Sequence, residues 1–416
     1  MAGERSRTSH KNSLPATEIF VPNILIDVTR LVYRRLKGKL PTGIDRVSIE
    51  YIRHYGLREG QAARAVLSLG PFNAVLSAQD SAAMFAAVDR AESMTGLALV
   101  VIAKAFLWRW WCLGYKSHYL FNAGHMGLEN PRYAWSLRVC GARPMFVVSD
   151  LIPITHPEYC RPGERERHRV RMRVALSTGS GIVTISQDTL DVLRRFATSE
   201  NLAMPPAVAA PLAPGLPDIA AGPRPLAPPY FVVVGTIEPR KNHLLLLQLW
   251  RQMVEQLGDT APRLVVIGQR GWECENVVDL LERCAQLKGF VIEQPYCSDA
   301  ALITWMHHAQ ALLFPTFAEG YGMPLTEALS IGVPVIASEL SVFRETSGDV
   351  PEYANPLDGR RWQELILDYA KADSTLRAAQ LERMKDFSAT TWEQHFAKVD
   401  ALLESLEAGQ ATKAGT

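Results

Sequence analysis

Short runs of aliphatic and β-branched residues alternate along this chain with longer amphipathic stretches. In the second half the apolar runs are YFVVV, RLVVI, FVIEQ, ALLF and VPVIAS, and a turn and a helix-like segment follow most of them. Strands that alternate with helices are typical of a parallel sheet whose faces are covered by helices. The pattern therefore predicts a doubly wound α/β domain over residues 230–386.

The first half shows the same alternation less regularly. Its candidate strands are NILID, ALVVIA, PMFVVS and SGIVTIS, and they predict a second Rossmann-like domain over residues 23–202. Residues 203–229, rich in proline and alanine, keep no apolar period and predict a semi-extended linker. Two doubly wound domains joined in this way predict a central cleft, with ligands bound at the carboxyl ends of the strands.

Length and composition are those of a globular protein with two domains. The chain has 416 residues, of which 48% are hydrophobic and 21% charged, and its net charge is +1. This balance gives no support for nucleic-acid binding. Residues 1–22 are polar, lack the apolar core of a signal peptide and are predicted to be disordered. Six scattered cysteines without zinc spacing favour reduced thiols, and hence a cytoplasmic protein.

The stretch LFPTFAEGYGMPLTEALSIGVPVIAS, residues 313–338, has the pattern of a strand, a glycine-rich turn, a helix and a second strand. Gly320 and Gly322 lack a Cβ, which lets the backbone approach a ligand closely. Pro324 suits the first turn of a helix, whose free N–H groups bind anions. Glu319 and Glu327 bracket the turn with carboxylates. This combination fits a ligand with both phosphates and hydroxyls, such as a nucleotide-sugar. A common α/β turn beside solvated glutamates gives the same local pattern.

The same stretch resembles the signature of retaining family 4 glycosyltransferases of the GT-B fold, in which two glutamates stand eight positions apart. Glu319 and Glu327 have this spacing. The flanking residues that also match are Pro315, Gly320, Gly322, Pro324, Ala328, Gly332 and Pro334. The resemblance implies two doubly wound Rossmann-like domains that face a central cleft. It also implies that the first domain binds the acceptor, the second binds the sugar nucleotide, and transfer retains the anomeric configuration.

By this resemblance, Glu319 contacts the donor sugar as a catalytic residue and Glu327 binds the ribose hydroxyls. The backbone of the turn and of the helix start is implied to hold sugar hydroxyls and phosphate. These donor-binding residues are Gly320, Tyr321, Gly322, Met323, Pro324 and Leu325. In the resembled family a C-terminal helix crosses back onto the first domain. Residues 387–406, amphipathic at helical spacing, are the candidate for that helix, and packing on their own domain is the alternative.

Two adjacent cations follow the first strand of the second half, in the segment GTIEPRKN. Arg240 and Lys241 can neutralise a diphosphate and stabilise the charge that builds up on it when the sugar leaves. The alternative is a solvated pair, but cations at a helix start are unfavourable unless an anion compensates. Many family members carry an arginine where this chain has Thr236. Arg240 or Arg270 would then provide the second phosphate contact.

The segment GTIEPRKN is similar to that of the mannosyltransferase-like members of the family. This similarity favours GDP-mannose or a GDP-deoxyhexose as the donor and a growing surface glycan or a lipid-linked saccharide as the acceptor. A UDP-sugar remains an alternative. The segment itself does not identify the acceptor.

Several first-half residues are candidates for the acceptor side of the cleft. Asp150 ends the strand MFVVSD, and as a candidate catalytic residue it would contact a sugar hydroxyl or an acceptor. Family members often read His-Asp here, and Ser149 replaces that histidine. His156, six residues further on, is a candidate substitute, although a histidine beside a proline is more often structural.

The turn Thr-Gly-Ile-Asp-Arg after the first strand is similar to a Gly-Ile-x-Arg element of the family. Gly43 would face the donor phosphate and Arg46 the acceptor. Asp27 at the end of ILID would line the same floor, and His125 in the loop NAGH is a further acceptor-side candidate. A turn alone would equally explain the glycine.

Two motifs are missing from the sequence. There is no Asp-x-Asp pair of the kind that binds a divalent metal on a nucleotide-sugar, and no Gly-x-Gly-x-x-Gly fingerprint of a dinucleotide cofactor. The sequence therefore predicts that no metal and no cofactor take part. Phosphate charge would be met by Arg, Lys and helix termini.

The segment AFLWRWWCLGYKSHYLF, residues 105–121, interleaves aromatic residues with cations. Such a segment suits a membrane interface, which would place the enzyme as a peripheral protein at the inner face of the cytoplasmic membrane. A buried helix is the competing interpretation.

Three other classes of protein share parts of this pattern. A nucleotide-sugar 2-epimerase has the same architecture but needs no acceptor. A glycogen-type phosphorylase would contain pyridoxal phosphate. A non-catalytic sugar-nucleotide sensor would bind the donor without turnover, although it would have little reason to keep both glutamates and both cations.

Overall fold

Two β-sheets, one in each half of the chain, organise the structure. The computed structural model describes residues 23–38, 43–58, 63–69, 72–90, 96, 100, 103–104, 115 and 117–414. The tail 1–22, predicted to be disordered, lies outside these residues.

The first sheet is built mainly from parallel strands. Among the described residues they are β1 (Asn23–Asp27), β2 (Arg64–Leu69), β3 (Phe72–Val75), β4 (His118–Asn122), β5 (Arg143–Val148), β6 (Gly181–Thr184) and β7 (Ala207–Ala209). Their spatial order is β3-β2-β1-β4-β5-β6-β7, and only β2 and β3 are antiparallel. The helices around it are α1 (Thr29–Leu36), α2 (Gly43–Ile52), α3 (Ala78–Asp89), α4 (Pro131–Cys140), α5 (Ile152–Thr155), α6 (Glu164–Thr178) and α7 (Gln187–Ser199).

The second sheet is entirely parallel. Its strands are β8 (Tyr230–Val234), β9 (Arg263–Ile267), β10 (Val291–Gln294), β11 (Leu312–Phe314), β12 (Val335–Ser338) and β13 (Glu352–Ala354), in the order β10-β9-β8-β11-β12-β13. Its helices are α8 (His243–Leu257), α9 (Glu275–Arg283), α10 (Asp299–His307), α11 (Met323–Ser330), α12 (Ser341–Ser347), α13 (Gly359–Tyr369) and α14 (Thr375–Met384). The chain ends on α15 (Trp392–Ala414).

Burial on both faces explains why the strands are continuous apolar runs. All six residues of β5 are buried, and so are all residues of β11 and β12. Such strands are typical of a parallel sheet with helices on each side. The alternation of strands and helices therefore predicts the class of both domains correctly.

The linker is shorter than predicted. Within the predicted range 203–229, Ala207–Ala209 pairs in parallel with β6 and extends the first sheet, and Ala210 and Leu212 are buried in the first-domain core. Three small apolar residues can form an edge strand beside prolines, so the composition alone hid it.

The last helix packs on the first domain. Phe396, Val399 and Leu403 lie in the same apolar cluster as Tyr51 and Phe121. Within the described ranges, no helix combines the length and apolar character needed to cross a bilayer.

The strand orders create a topological switch point in each sheet. In the first sheet the chain reverses its direction of growth between β1 and β4, and in the second between β8 and β11. Ligands of doubly wound sheets bind outside the carboxyl ends of the strands at such points. The loops after β8 and β11 are therefore placed where such a sheet binds its ligand.

Candidate active site

The loop after β11 is held rigidly at the second switch point. The Thr316 hydroxyl, fully buried, lies 3.1 Å from the carbonyl oxygens of Arg240 and Ala318. The N–H of Phe317 donates to the carbonyl of Arg240 at 2.9 Å. These bonds join the loops after β8 and β11, which neighbouring parallel strands bring to the same edge of the sheet.

A compact cluster of opposite charges lies between the two loops. Lys241 Nζ is 2.6 Å from Glu319 Oε1, and Arg240 Nη1 is 2.8 Å from the same oxygen. Arg240 Nη2 also pairs with Glu238 at 2.7 Å. Arg240 and Lys241 lie on the short 3-10 turn Pro239–Lys241, just before α8. The structure thus brings together three of the four residues predicted to be catalytic.

Burial and charge oppose each other in this cluster. Burial alone would raise the pKa of Glu319, but Arg240 and Lys241 outweigh it and hold that pKa below the ordinary value. For Lys241, burial lowers the pKa and the attraction of Glu319 only partly offsets it. Burial also acts to lower the pKa of Arg240, but Glu319 and Glu238 raise it above its usual range. Glu319 is therefore ionised, and the guanidinium is a fixed positive charge.

The predicted fourth member, Asp150, reaches the cluster from the first domain. It follows β5, and its Oδ1 accepts the N–H of Ile152 at 3.0 Å. Its charge contributes to the raised pKa of Arg240. Behind it, the buried His168 donates from Nε2 to the Asp150 carbonyl at 3.1 Å, and burial lowers the pKa of this histidine. His168, which the sequence did not single out, therefore supports the backbone of Asp150.

Glu327 lies in a second, separate pocket on α11. Its Oε1 accepts the N–H of Gly215 at 3.2 Å and lies 3.5 Å from Arg46 Nη1. Arg46 Nη2 pairs with Asp299 at 2.7 Å. Burial raises the pKa of Glu327 to about 7, because Arg46 and the Gly215 N–H compensate only in part. Arg46, predicted on the acceptor side, instead bridges to two carboxylates of the second domain.

Gly320, in the loop 315–322 after β11, closely approaches the first domain. A Cβ on Gly320 would lie 2.1 Å from the carbonyl oxygen of Ser149, so only glycine allows this approach. Gly322 has φ +92°, and a Cβ there would lie 2.5 Å from Phe343. Both glycines predicted from the motif are therefore required by the backbone.

The side chains of Tyr321 and Leu325 are buried, so these two residues can contribute only backbone to a ligand. The ring of Tyr321 lies in the first-domain core and its hydroxyl donates to the Leu212 carbonyl. Leu325 is fully buried in the second-domain core. Met323 packs toward Gly43, whose Cβ position is 3.5 Å from its sulfur. Pro324 occupies the first turn of α11, as predicted.

Arg270 does not join the charge cluster. Its guanidinium pairs with Glu293 at 2.8 Å and with Glu282 at 2.5 Å. Two carboxylates pair with Arg270, as two also pair with Arg240, and a phosphate contact by Arg270 stays a prediction. Of these two arginines, Arg240 is the one that lies in the cluster with Glu319. Thr236 is exposed in the turn after β8.

Two of the predicted acceptor residues are parts of the first-domain scaffold. His125 is buried, and its Nε2 donates to the Val147 carbonyl at 2.7 Å. Burial lowers its pKa to about 3, so the ring is neutral. The strand carbonyl thus occupies Nε2, and acceptor binding by His125 stays a prediction. Asp27 lies at the first switch point, and burial raises its pKa against the hydrogen bonds of Thr29 and Ser68.

His156 lies at the mouth of the cleft. Its Nδ1 is 2.9 Å from the Thr155 hydroxyl. Its ring stacks on Tyr159, which stacks in turn on Phe317 of the second domain with centroids 5.1 Å apart. This places His156 at the domain boundary but does not bring it into the charge cluster.

Some features bear on the site without being predicted or described. Gly215 and Asp299 contribute to the Glu327 pocket, yet no local motif marks either residue. Of the aromatic segment 105–121, Trp108, Trp110 and Trp111 lie outside the described residues, whereas residues 118–121 belong to the buried strand β4. Among the residues that are described, no group of three or more His, Cys, Asp or Glu could hold a metal ion.

Comparisons with known proteins agree with this geometry. Residues 218–350 match the family model described as "Glycosyl transferases group 1". The chain is 32% identical over 164 residues to O-antigen chain mannosyltransferase B of Escherichia coli, covering 39% of this chain and 42% of that protein. It is 26% identical over 290 residues to the serotype-specific mannosyltransferase WbdA of Escherichia coli, covering 65% of this chain and 34% of that protein. The chain thus spans less than half the length of these relatives.

The fold is shared with solved structures at low identity. Sucrose-phosphate synthase from Thermosynechococcus elongatus superposes with a TM-score of 0.59 at 14% identity, covering 93% of this chain and all of that chain. The prediction of the GT-B fold, with two Rossmann-like domains, is confirmed. Residues 218–350 thus match the glycosyltransferase group 1 model, and the two relatives named above are mannosyltransferases.

Proposed function

We propose that this protein is a retaining glycosyltransferase that moves a hexose from a nucleotide-diphosphate sugar to a saccharide acceptor of a surface glycan. Mannose or a deoxyhexose on GDP is the favoured donor, and a lipid-linked saccharide is the alternative acceptor. The observation that carries the proposal is the cluster of Arg240, Lys241 and Glu319 at the second switch point.

The cluster provides positive charge where a diphosphate would bind. Lys241 and Arg240 are buried cations at the carboxyl edge of the sheet, and both meet one carboxylate oxygen. In a buried site, fixed charges stabilise a developing anion more strongly than they do in water. Departure of a nucleoside diphosphate from a sugar builds up such an anion. Glu319 lies between the cations and holds them in place for it.

The Glu327 pocket suits the nucleoside. Its carboxylate lies on the first turns of α11, next to the loop that carries Glu319, and can accept hydrogen bonds from two ribose hydroxyls. The helix start and the backbone from Gly320 to Leu325 would bind the sugar hydroxyls and phosphate. Thr236 would line the same side in place of the usual arginine of the family.

The transfer is expected to proceed on one face of the sugar. The acceptor hydroxyl oxygen attacks the anomeric carbon as the bond from that carbon to the phosphate oxygen breaks. The acceptor proton passes to the departing phosphate, and the products are the glycosylated acceptor and the nucleoside diphosphate. Asp150, at the edge of the first domain, would orient the acceptor beside the cluster. Arg240 and Lys241 would carry the charge of the leaving group without a metal ion or a cofactor.

The mannosyltransferase relatives support the choice of donor and acceptor. Of the two relatives described above, one is an O-antigen chain mannosyltransferase and the other is a serotype-specific mannosyltransferase. GDP-mannose and a growing surface saccharide are the corresponding substrates. The protein would act in the cytoplasm, with peripheral contact to the inner face of the cytoplasmic membrane through Trp108, Trp110 and Trp111, since residues 119–121 of the same aromatic segment are buried in β4.

One experiment tests the donor and the reaction together. Thermal-shift titration with GDP-, UDP-, ADP- and dTDP-sugars identifies the nucleotide, because a ligand that binds the folded state raises its stability. The selected donor, labelled in the sugar, is then incubated with saccharide acceptors and excess EDTA. Labelled product with retained configuration is expected. Stabilisation by none of the sugar nucleotides contradicts the proposal.

The same assay separates the rival functions. A 2-epimerase would convert the donor without an acceptor. Nuclear magnetic resonance spectra would then show a new sugar nucleotide of unchanged mass. A sensor would show the thermal shift and no product with any acceptor. Loss of transfer in EDTA, recovered by adding Mg²⁺ or Mn²⁺, would contradict the metal-independent part of the proposal.

A further inference from the structure

We propose that the N-terminus of α7 is a docking element through which the first domain positions the loop 315–322 after β11, called the donor loop below. Ser186 and Glu345 are then positioning residues for transfer. This inference rests on the proposed function, because it assigns these residues a role in the same reaction.

The first observation is a bond between the two domains at the donor loop. Ser186 is fully buried, and its Oγ lies 2.8 Å from the carbonyl oxygen of Gly320. Since a carbonyl oxygen can only accept, the Ser186 hydroxyl donates to it. The Thr189 hydroxyl lies 3.4 Å from the same oxygen. The peptide between Gly320 and Tyr321 is therefore held by hydroxyls of the other domain.

The second observation is a carboxylate of the second domain on the start of α7. Glu345 on α12 accepts the N–H groups of Gln187 at 2.6 Å and Asp188 at 2.9 Å. The first N–H groups of a helix have no partner within the helix, and negative charge there is favourable. Ser341, also on α12, donates to the Asp188 carboxylate at 2.5 Å. The helix start is thus capped from both domains, since Ser186 Oγ also accepts the N–H of Thr189.

The third observation is the lack of space at Gly320. A Cβ there would come within 2.1 Å of the Ser149 carbonyl and 3.0 Å of the Asp150 Cβ. The loop therefore fits against the end of β5 and the start of α7 in one close arrangement. A peptide is planar and trans, so fixing the Gly320 carbonyl also fixes the direction of the Tyr321 N–H.

These contacts connect domain docking to catalysis. Glu319, which orders Lys241 and Arg240, is the residue before Gly320, whose carbonyl accepts the hydrogen bond of Ser186. When the domains dock, the hydroxyl and the Glu345 cap set the position of that peptide relative to Asp150. When they separate, Glu319 loses this support, whereas the Glu327 pocket loses the contact of Arg46 and keeps its carboxylate in place on α11. Docking should therefore govern the chemical step more than nucleotide binding.

The test compares two variants with two matched controls. Ser186→Ala removes the grip on Gly320 together with a helix cap, and Ser77→Ala removes an equivalent cap on α3, where the serine bonds Asp80 of the same helix. Glu345→Ala removes the cap from α12, and Glu339→Ala removes a nearby exposed carboxylate that pairs with Arg344. Turnover number, Michaelis constants and nucleotide affinity are measured for each variant.

The inference predicts that kcat falls by about 10- to 100-fold in Ser186→Ala and Glu345→Ala, since small misplacements of reacting groups cost this much. Nucleotide affinity should stay at the wild-type value, and both controls should match wild type. An unchanged kcat, or a fall matched by the controls, overturns it. Equal losses of kcat and nucleotide affinity overturn it as well.

A second readout needs no substrate and separates this inference from the proposed function. Small-angle X-ray scattering should show a larger radius of gyration for Ser186→Ala combined with Glu345→Ala than for the combined controls. If the wild type transfers no sugar but this expansion is seen, the proposed function fails and the docking element stands. If the wild type transfers sugar and no expansion is seen, the docking element fails alone.

Discussion

The ammonium group of Lys241 lies 2.6 Å from the carboxylate of Glu319, and neither side chain is more than a tenth exposed. The two residues are 78 positions apart, and they meet because β8 and β11 are neighbours in the sheet with their carboxyl ends at the same edge. A lysine and a glutamate rarely share a buried site without a functional reason, because burying two charges costs free energy. In this protein the pair lies where a doubly wound sheet binds its ligand.

Removal of the lysine should affect turnover far more than stability. In Lys241→Met, Glu319 keeps Arg240 as its partner, so we expect the fold to persist and kcat to fall by about 10²-fold or more through the loss of leaving-group stabilisation. Steady-state kinetics checks this, with circular dichroism to confirm folding. Lys288→Met, at an exposed lysine of the same domain, is the matched control. Wild-type turnover in Lys241→Met would remove this residue from the mechanism.

Nucleotide binding should strengthen as the pH rises through about 7. Burial raises the pKa of Glu327 to about 7 from an ordinary 4.5, and only the ionised carboxylate can accept from both ribose hydroxyls. Calorimetric titration between pH 5.5 and 8.5 would show this rise. In Glu327→Gln the dependence should be absent, and affinity at pH 8 should fall by about 10- to 100-fold, as for a lost hydrogen bond to a charged group. A pH dependence that persists in the variant would point to another group.

The same shift has an opposite effect on stability. The folded protein holds the Glu327 proton more tightly than the unfolded chain does, so this contribution to the free energy of unfolding is fully present below about pH 4.5 and is lost as the pH rises through about 7. Urea denaturation at pH 4.5 and 8 should therefore show a smaller loss of stability in Glu327→Gln than in wild type. An equal loss in the two proteins would mean that the carboxyl titrates normally.

A methyl group at Gly320 should separate the domains. The Cβ of Gly320→Ala would lie 2.1 Å from a main-chain oxygen of the first domain, and backbone cannot move aside as a flexible side chain can. We expect kcat to fall by about 10²-fold with little change in the melting temperature of the second domain. Gly359→Ala is the control, because a Cβ there makes only ordinary contacts, at 3.4 Å and beyond. Full activity in Gly320→Ala would show that the close approach is dispensable.

The final helix should stabilise the first domain and not the second. Phe396 is buried, its ring stacks on His54 with centroids 3.8 Å apart, and it meets Tyr51 edge-on at 5.1 Å. Phe396→Ala should lower the free energy of unfolding of the first domain by about 3–5 kcal/mol. Hydrogen exchange resolved by domain would measure it. Equal loss of protection in both domains would contradict this assignment.

The residues that sequence reasoning located are those whose signal is local. Glu319, Gly320, Gly322 and Glu327 lie in one strand-turn-helix stretch, and Lys241 follows a strand directly. Parallel strands bring such turns to a common edge, so their meeting follows from the class of fold. The resemblance to a glycosyltransferase family then gave these positions a common chemistry.

The residues that it missed or misplaced depend on tertiary contacts. Gly215 and Asp299 reach Glu327 from the linker and from α10, and no spacing along the chain indicates this. Arg270 was one of two candidates to replace the family arginine that is absent at Thr236, and no sequence pattern indicates its pairing with Glu282 and Glu293. His125 was a candidate acceptor-binding residue, and its ring Nε2 donates to the carbonyl of Val147 in β5. Partners supplied by other elements decided each of these cases.

A crystal structure with the nucleoside diphosphate selected by the thermal-shift titration would show directly whether Arg240, Lys241 and Glu327 bind the nucleotide. We expect diphosphate oxygens within hydrogen-bond distance of Lys241 Nζ or the Arg240 guanidinium, without a bridging metal. We also expect the ribose to lie against Glu327. A nucleotide bound away from these three residues, or a diphosphate held by a divalent cation, would contradict it.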